Sequence, residues 1–201
     1  GATEIPDKTP EHFWEIYTDG PAFTTKRGVD VAGWGFCAFC PDGRTVKSLG
    51  PVVTDPSEER YLGAAVATNN TAEATGICKA LGWAHFSVPP ESVVVLFVDS
   101  SWAGNRVVGR WTKPTHEALV QEAAKWLKTA RERRIVNLVH VPGHADIEGN
   151  EAADELARKA LQEQIEDEEP SDPDFDVDLE MLREIEMARD RQDGQHEWDV
   201  D

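Results

Sequence analysis

The spacing of apolar and polar residues divides the first 160 positions of this 201-residue chain into short strands and longer helices. His12 to Asp19 (HFWEIYTD) alternates, is rich in aromatic and β-branched residues as a strand should be, and runs into Asp19-Gly20. Gly33 to Phe39 reads as a second strand. Pro41-Asp42-Gly43-Arg44 supplies turn residues, so Thr45 to Leu49 can return antiparallel and complete a three-stranded antiparallel start. Gly50 to Thr68 is loop-like. Thr71 to Phe86 places Ala72, Thr75, Ala80, Leu81 and Ala84 near helical spacing behind a cap at Asn70, and Pro89-Pro90 ends it. Ser92 to Val98 (SVVVLFV) is a near-continuous apolar run, the pattern of a strand covered on both faces, and it stops at Asp99. A short helix is expected over Ser100 to Val108. A longer one, Thr115 to Arg133, turns Leu119, Ala123, Trp126 and Leu127 inward; a strand at Ile135 to Val141 and a helix at Glu148 to Gln164 follow. The order predicts a mixed α/β fold: a five-stranded mixed sheet, strands 1 to 3 antiparallel, with helices across its faces.

Charge changes the picture at the C-terminal end. The formal net charge is -18, but residues 161–201 hold 17 of the 38 acids and only 3 of the 20 basic residues. That leaves 21 acids and 17 basic residues in 1–160, a nearly balanced part. The expected organisation is a folded domain over 12–162 and an acidic, largely disordered tail over 163–201, with a short helix at Leu179 to Arg189 suited to a protein partner. Three cysteines without a dense framework fit a reducing compartment, and the reading is cytoplasmic or nuclear. Cys37 and Cys40, three apart on an expected strand, should point to opposite faces, which argues against a zinc site. No apolar run reaches the roughly 18 to 20 residues of a bilayer span, and the start GATEIPDKTPEHF lacks signal-peptide regions, so no membrane partner is expected.

Two acids sit where strands end and two lie on helices, and each has a plain explanation alone. Asp19 before Gly20 can start a turn, and Glu73 lies at capping-box distance from Asn70. Asp99 can cap a following helix, and Asp154 can pair with Arg158 at i, i+4 on an exposed helix face. Together they imply more. Acids at the ends of neighbouring strands, joined by acids from helices packed on the sheet, can converge. Carboxylates within about 4 to 6 Å repel one another, so such a cluster needs cations, and hard oxygen donors select Mg²⁺, Mn²⁺ or Ca²⁺ over zinc. Two Mg²⁺ ions roughly 3.5 to 4 Å apart form a known device for phosphodiester cleavage.

Tyr17-Thr18-Asp19-Gly20, Thr68-Asn69-Asn70-Thr71-Ala72-Glu73, Phe97-Val98-Asp99-Ser100, and Val141-Pro142-Gly143-His144 followed by Gly149-Asn150-Glu151-Ala152-Ala153-Asp154-Glu155-Leu156-Ala157 resemble type 1 ribonuclease H in order and spacing. The resemblance spans about residues 12 to 162 and implies the ribonuclease H-like fold. It implies a metal-dependent endonuclease that hydrolyses the RNA strand of RNA–DNA hybrids with two Mg²⁺, Mn²⁺ being an alternative. Asp19, Glu73, Asp99 and Asp154 would be the metal-binding carboxylates, and His144 the loop histidine that assists proton transfer or product release. Gly20, Thr68, Asn69, Asn70 and Ser100 would contact substrate. An Asn amide both donates and accepts, which suits recognition of the 2′-hydroxyls shown in a wide, shallow minor groove. The other five histidines show no such context and read as structural or exposed.

The chain also departs from the family pattern. Pro21 to Val31 (PAFTTKRGVDV) replaces the usual Asn-Pro-Gly loop, and Asp99 to Pro114 offers only Arg106, Arg110 and Lys113 where some members carry a strongly basic helix and loop. Lys125, Lys128 and Arg131, with Arg133 and Arg134, form a basic stripe that reads as a solvated helix face or as phosphate contacts. Trp102, Trp111 and Trp126 read as core residues before rings that stack near the hybrid. Three other readings stand beside this enzyme: a catalytically silent hybrid-binding domain, the ribonuclease H portion of a retroelement polyprotein, and a DNA transposase or integrase of related fold, which the Gly-His to Asp154 ending disfavours.

Overall fold

A computed structural model describes residues 13–99, 107, 117–141, 147–169 and, near the C-terminus, 184, 185, 187 and 188. Six strands are present among them: β1 (Phe13–Asp19), β2 (Ala22–Thr24), β3 (Asp30–Phe39), β4 (Thr45–Pro51), β5 (Val93–Val98) and β6 (Ile135–His140). Three helices accompany them: α1 (Asn69–Ser87), α2 (Glu117–Arg131) and α3 (Glu148–Glu168). β3 pairs antiparallel with β1 on one side and with β4 on the other, while β5 runs parallel to β1 and β6 parallel to β5. The mixed sheet with an antiparallel start is therefore as the alternation predicts.

The unanticipated strand is β2. It continues β1 beyond Gly20-Pro21 against the same stretch of β3, with the register unshifted: Asp19 faces Gly35 and Ala22 faces Ala32. Gly33 N–H bonds the Pro21 carbonyl at 3.1 Å across the gap, so the break costs little pairing. A tight turn at Thr25 to Val29 joins β2 to β3, with Gly28 at φ +80°, a conformation that glycine adopts without Cβ strain. The departure from the Asn-Pro-Gly pattern is thus a β-hairpin arm rather than an irregular loop.

Alternation along the strands sorts their side chains. Trp14, Ile16, Trp34, Phe36, Ala38, Val94, Leu96, Val98 and Val136 form the main core with Ile77, Leu81 and Ala84 of α1 and Ala123 and Leu127 of α2. On the opposite face α3 lies almost directly on β3. A Cβ at Gly35 would stand 2.7 Å from the Ala157 amide and 2.8 Å from the Ala153 carbonyl oxygen, so this contact tolerates no side chain there. That close seating fixes the helix carrying Asp154. Val31, Leu161 and Ile165 make a separate apolar contact, and Gln164 donates to the Ala32 carbonyl at 2.7 Å. These contacts carry α3 past residue 162 to Glu168, where the rise in acidity alone suggested a boundary.

α1 begins earlier than expected, for a local reason. Thr68, not Asn70, is the N-cap: its hydroxyl accepts the Thr71 amide at 3.2 Å, and the Thr71 hydroxyl accepts the Thr68 amide at 2.9 Å. This reciprocal pair is a capping box built from two threonines, and it leaves Glu73 out of the cap. The expected short helix after Asp99 lies outside the described residues except Val107, which is helical and buried. No helix among the described residues is long and apolar enough to cross a membrane.

Candidate metal centre

The parallel pairing of β1 and β5 decides where their acids go. Tyr17 faces Phe97 and Thr18 faces Val98, so Asp19 and Asp99 follow the last pair side by side at the same end of the sheet. The Tyr17 and Phe97 rings stack with centroids 4.5 Å apart and planes 14° from parallel, locking that alignment. Burial, then the nearby Glu15, pushes the Tyr17 phenol up to about 12, so it remains neutral.

Glu73 is brought to the same place by a close approach. A Cβ on Gly20 would stand 2.5 Å from the Glu73 amide, so only glycine lets the first turns of α1 pack against the end of β1. Gly20 N–H also bonds Asp19 Oδ1 at 2.8 Å, holding the carboxylate in one orientation. Asp19, Glu73 and Asp99 each offer an oxygen, and these atoms all lie within 4.8 Å of one another. Asp19 is only 4% exposed, while Glu73 and Asp99 are half-buried. Three carboxylate oxygens at that separation are a hard donor set suited to a divalent cation such as Mg²⁺, Mn²⁺ or Ca²⁺.

Asp154 is placed differently. It does not belong to the 4.8 Å cluster; its Oδ1 lies 2.9 Å from Arg158 Nε on the same helix. The i, i+4 pairing was legible, but the face was not: the Arg158 side chain is 6% exposed and that of Asp154 24%, so the pair is inside the packing of α3, not on an open helix face. Thr68, Asn69 and Asn70 surround the start of α1, half-buried, with Thr68 committed to the cap. His144 and Ser100 lie outside the described residues, as do Trp102 and Trp111.

The basic stripe is partly used by the fold. Arg131 Nε donates to the Val136 carbonyl at 3.0 Å, and Arg134 donates to the carbonyls of Val88 and His85 at 2.7 and 2.8 Å, tying the end of α1 to the turn before β6. Lys125 and Lys128 remain exposed. Cys37, Cys40 and Cys78 are buried free thiols, and burial pushes Cys78 up to about 12. One residue that the sequence left without a role stands next to the cluster: His140 Nε2 is 3.0 Å from the Asp99 carbonyl oxygen. Its position, in register with Val98 across the β5–β6 pair, becomes visible only once the strands are paired.

Comparison with known proteins agrees with this geometry. The RNase H family model matches residues 11–162. A ribonuclease H of Jannaschia sp. is 31% identical over 157 residues, covering 72% of this chain and 88% of that protein. The structure of RNase H1 from Halobacterium salinarum superposes with a TM-score of 0.54 at 23% identity, covering 75% of this chain and 98% of that one. LC11-RNase H1 in complex with an RNA/DNA hybrid gives a TM-score of 0.55 at 25% identity, covering 76% of this chain and 99% of that one. By its sequence match and its fold, this chain belongs to the RNase H family of enzymes.

Proposed function

We propose that the chain hydrolyses the RNA strand of RNA–DNA hybrids as an endonuclease, with two Mg²⁺ ions held by Asp19, Glu73 and Asp99 and completed by Asp154. The observation that carries this reading is the convergence of three carboxylate oxygens within 4.8 Å from two strand ends and one helix. Bound there, a pair of divalent ions supplies an activated water and neutralises charge on the leaving oxygen. The residues do the positioning. Gly20 N–H holds Asp19, the Thr68 cap fixes the start of the helix that bears Glu73, and β-sheet register sets Asp99 beside Asp19.

Asn69 and Asn70 begin α1 beside the Thr68 cap, two turns or less from Glu73, and are assigned to the minor-groove edges and 2′-hydroxyls next to the cut. Ser100 and Gly20 flank the two strand-end acids in sequence and are assigned to the same substrate path. His144 is assigned to proton transfer or product release. The hybrid bound by LC11-RNase H1 supports the substrate class.

A labelled RNA–DNA hybrid, tested against duplex RNA and duplex DNA with and without chelator, checks the reading. Cleavage should be confined to the RNA of the hybrid, leave 5′-phosphate and 3′-hydroxyl ends, and stop with chelator. Binding without cleavage in Mg²⁺ or Mn²⁺ would instead establish a silent hybrid-binding domain.

A further inference from the structure

We propose that His140 is a positioning residue that fixes Asp99 through its main chain; this rests on the metal-binding assignment of Asp99. β6 ends at His140, directly opposite Val98, and the last backbone bond of that pair among the described residues runs from Val141 N–H to the Val98 carbonyl at 2.9 Å. The Asp99 carbonyl lies one residue beyond that bond. His140 Nε2 meets it at 3.0 Å. A carbonyl oxygen only accepts, so Nε2 carries the proton. The imidazole thereby adds a side-chain link between β5 and β6 one residue beyond that backbone bond.

The consequence for the site is geometric. Asp99 emerges from a buried strand end, with Val98 2% exposed, into the stretch where its carboxylate must meet those of Asp19 and Glu73. Fixing its peptide plane fixes the direction of its Cα–Cβ bond. Partners of this kind, one step behind a metal ligand, set ligand orientation and hence affinity.

His140→Gln keeps a donor near the position of Nε2, whereas His140→Phe keeps a ring of similar shape and removes the donor. The ¹⁵N imidazole spectrum of the metal-free protein should show the Nε2-protonated tautomer. Mn²⁺ affinity, measured by calorimetry, should fall roughly 10-fold in His140→Phe and stay within about 2-fold of the parent in His140→Gln. The Mg²⁺ concentration for half-maximal cleavage should move in parallel. An Nδ1-protonated ring, parent-like Mn²⁺ affinity in His140→Phe, or equal loss in both variants overturns the proposal. A parent protein that neither binds Mn²⁺ nor cleaves would break the metal assignment instead, and the tautomer would still decide the His140 contact.

Discussion

Two carboxylate environments lie within this fold and are balanced by different means. Asp19, Glu73 and Asp99 are gathered acid against acid, their oxygens within 4.8 Å. Asp154 has its counter-ion supplied by its own helix, Arg158 Nε at 2.9 Å. Like charges at the first separation repel, and the repulsion is relieved by a divalent cation; the second pair is neutralised by the protein itself. The difference teaches that the strand-end cluster is built for an added ion, while Asp154 is held in place in advance by a residue that no metal-site motif specifies.

The largest expected effect comes from breaking the cluster. Asp19→Asn or Asp99→Asn should reduce hybrid cleavage by at least about a thousandfold if the proposed metal assignment holds, since each removes a charge from the carboxylate cluster. The melting temperature should hold or rise, because a repulsive neighbour is removed. Retained cleavage in either variant would show that the cluster is not the metal site. Breaking the other environment should act on stability first. Arg158→Met leaves half-buried Asp154 without its counter-ion, an expected loss of about 1 to 2 kcal/mol by urea denaturation. Asp154→Asn/Arg158→Met should recover part of that loss, and strict additivity would mean that the pair carries no coupling.

A comparable effect sharpens the contrast from the ligand side. Saturating Mg²⁺ at about a hundred times its dissociation constant should stabilise the parent by roughly 2.7 kcal/mol. Asp19→Asn should lose this shift and Arg158→Met should keep it; equal shifts in both would place the ion elsewhere. The smallest effect tests one arm of the cluster. Thr68→Ala removes the cap in front of Glu73 and should cost about 1 kcal/mol, with Mg²⁺ dependence displaced less than in Asp19→Asn. Unchanged stability would show that the cap is redundant.

Much of this was legible in the residues. β1 and β5 end at their acids because alternation and apolar runs stop there, and a parallel pair of such strands must bring Asp19 and Asp99 together. The helix with Glu73 was visible in its small buried residues, Ala72, Ala80 and Ala84 among them. Residue preference puts its cap at Asn70, two residues late, because the threonines at 68 and 71 satisfy each other's amides. β2 escaped notice because three residues carry no period, and its pairing depends on β3. Charge alone places Arg158 at the surface, whereas its side chain is 6% exposed on α3, the helix seated on the glycines of β3. His140 had no motif, since its partner is a main-chain oxygen 41 residues earlier in the chain.

The sequence by itself determined the longer strands and helices, the mixed sheet and, through motifs at fixed spacing, which acids to look for, because periodicity and motifs are local properties of the chain. Tertiary structure alone decided which acids share one cation site and which arrives already paired. That choice depends on how closely α1 approaches Gly20 and α3 approaches Gly35, and such distances are set by packing between elements distant in sequence.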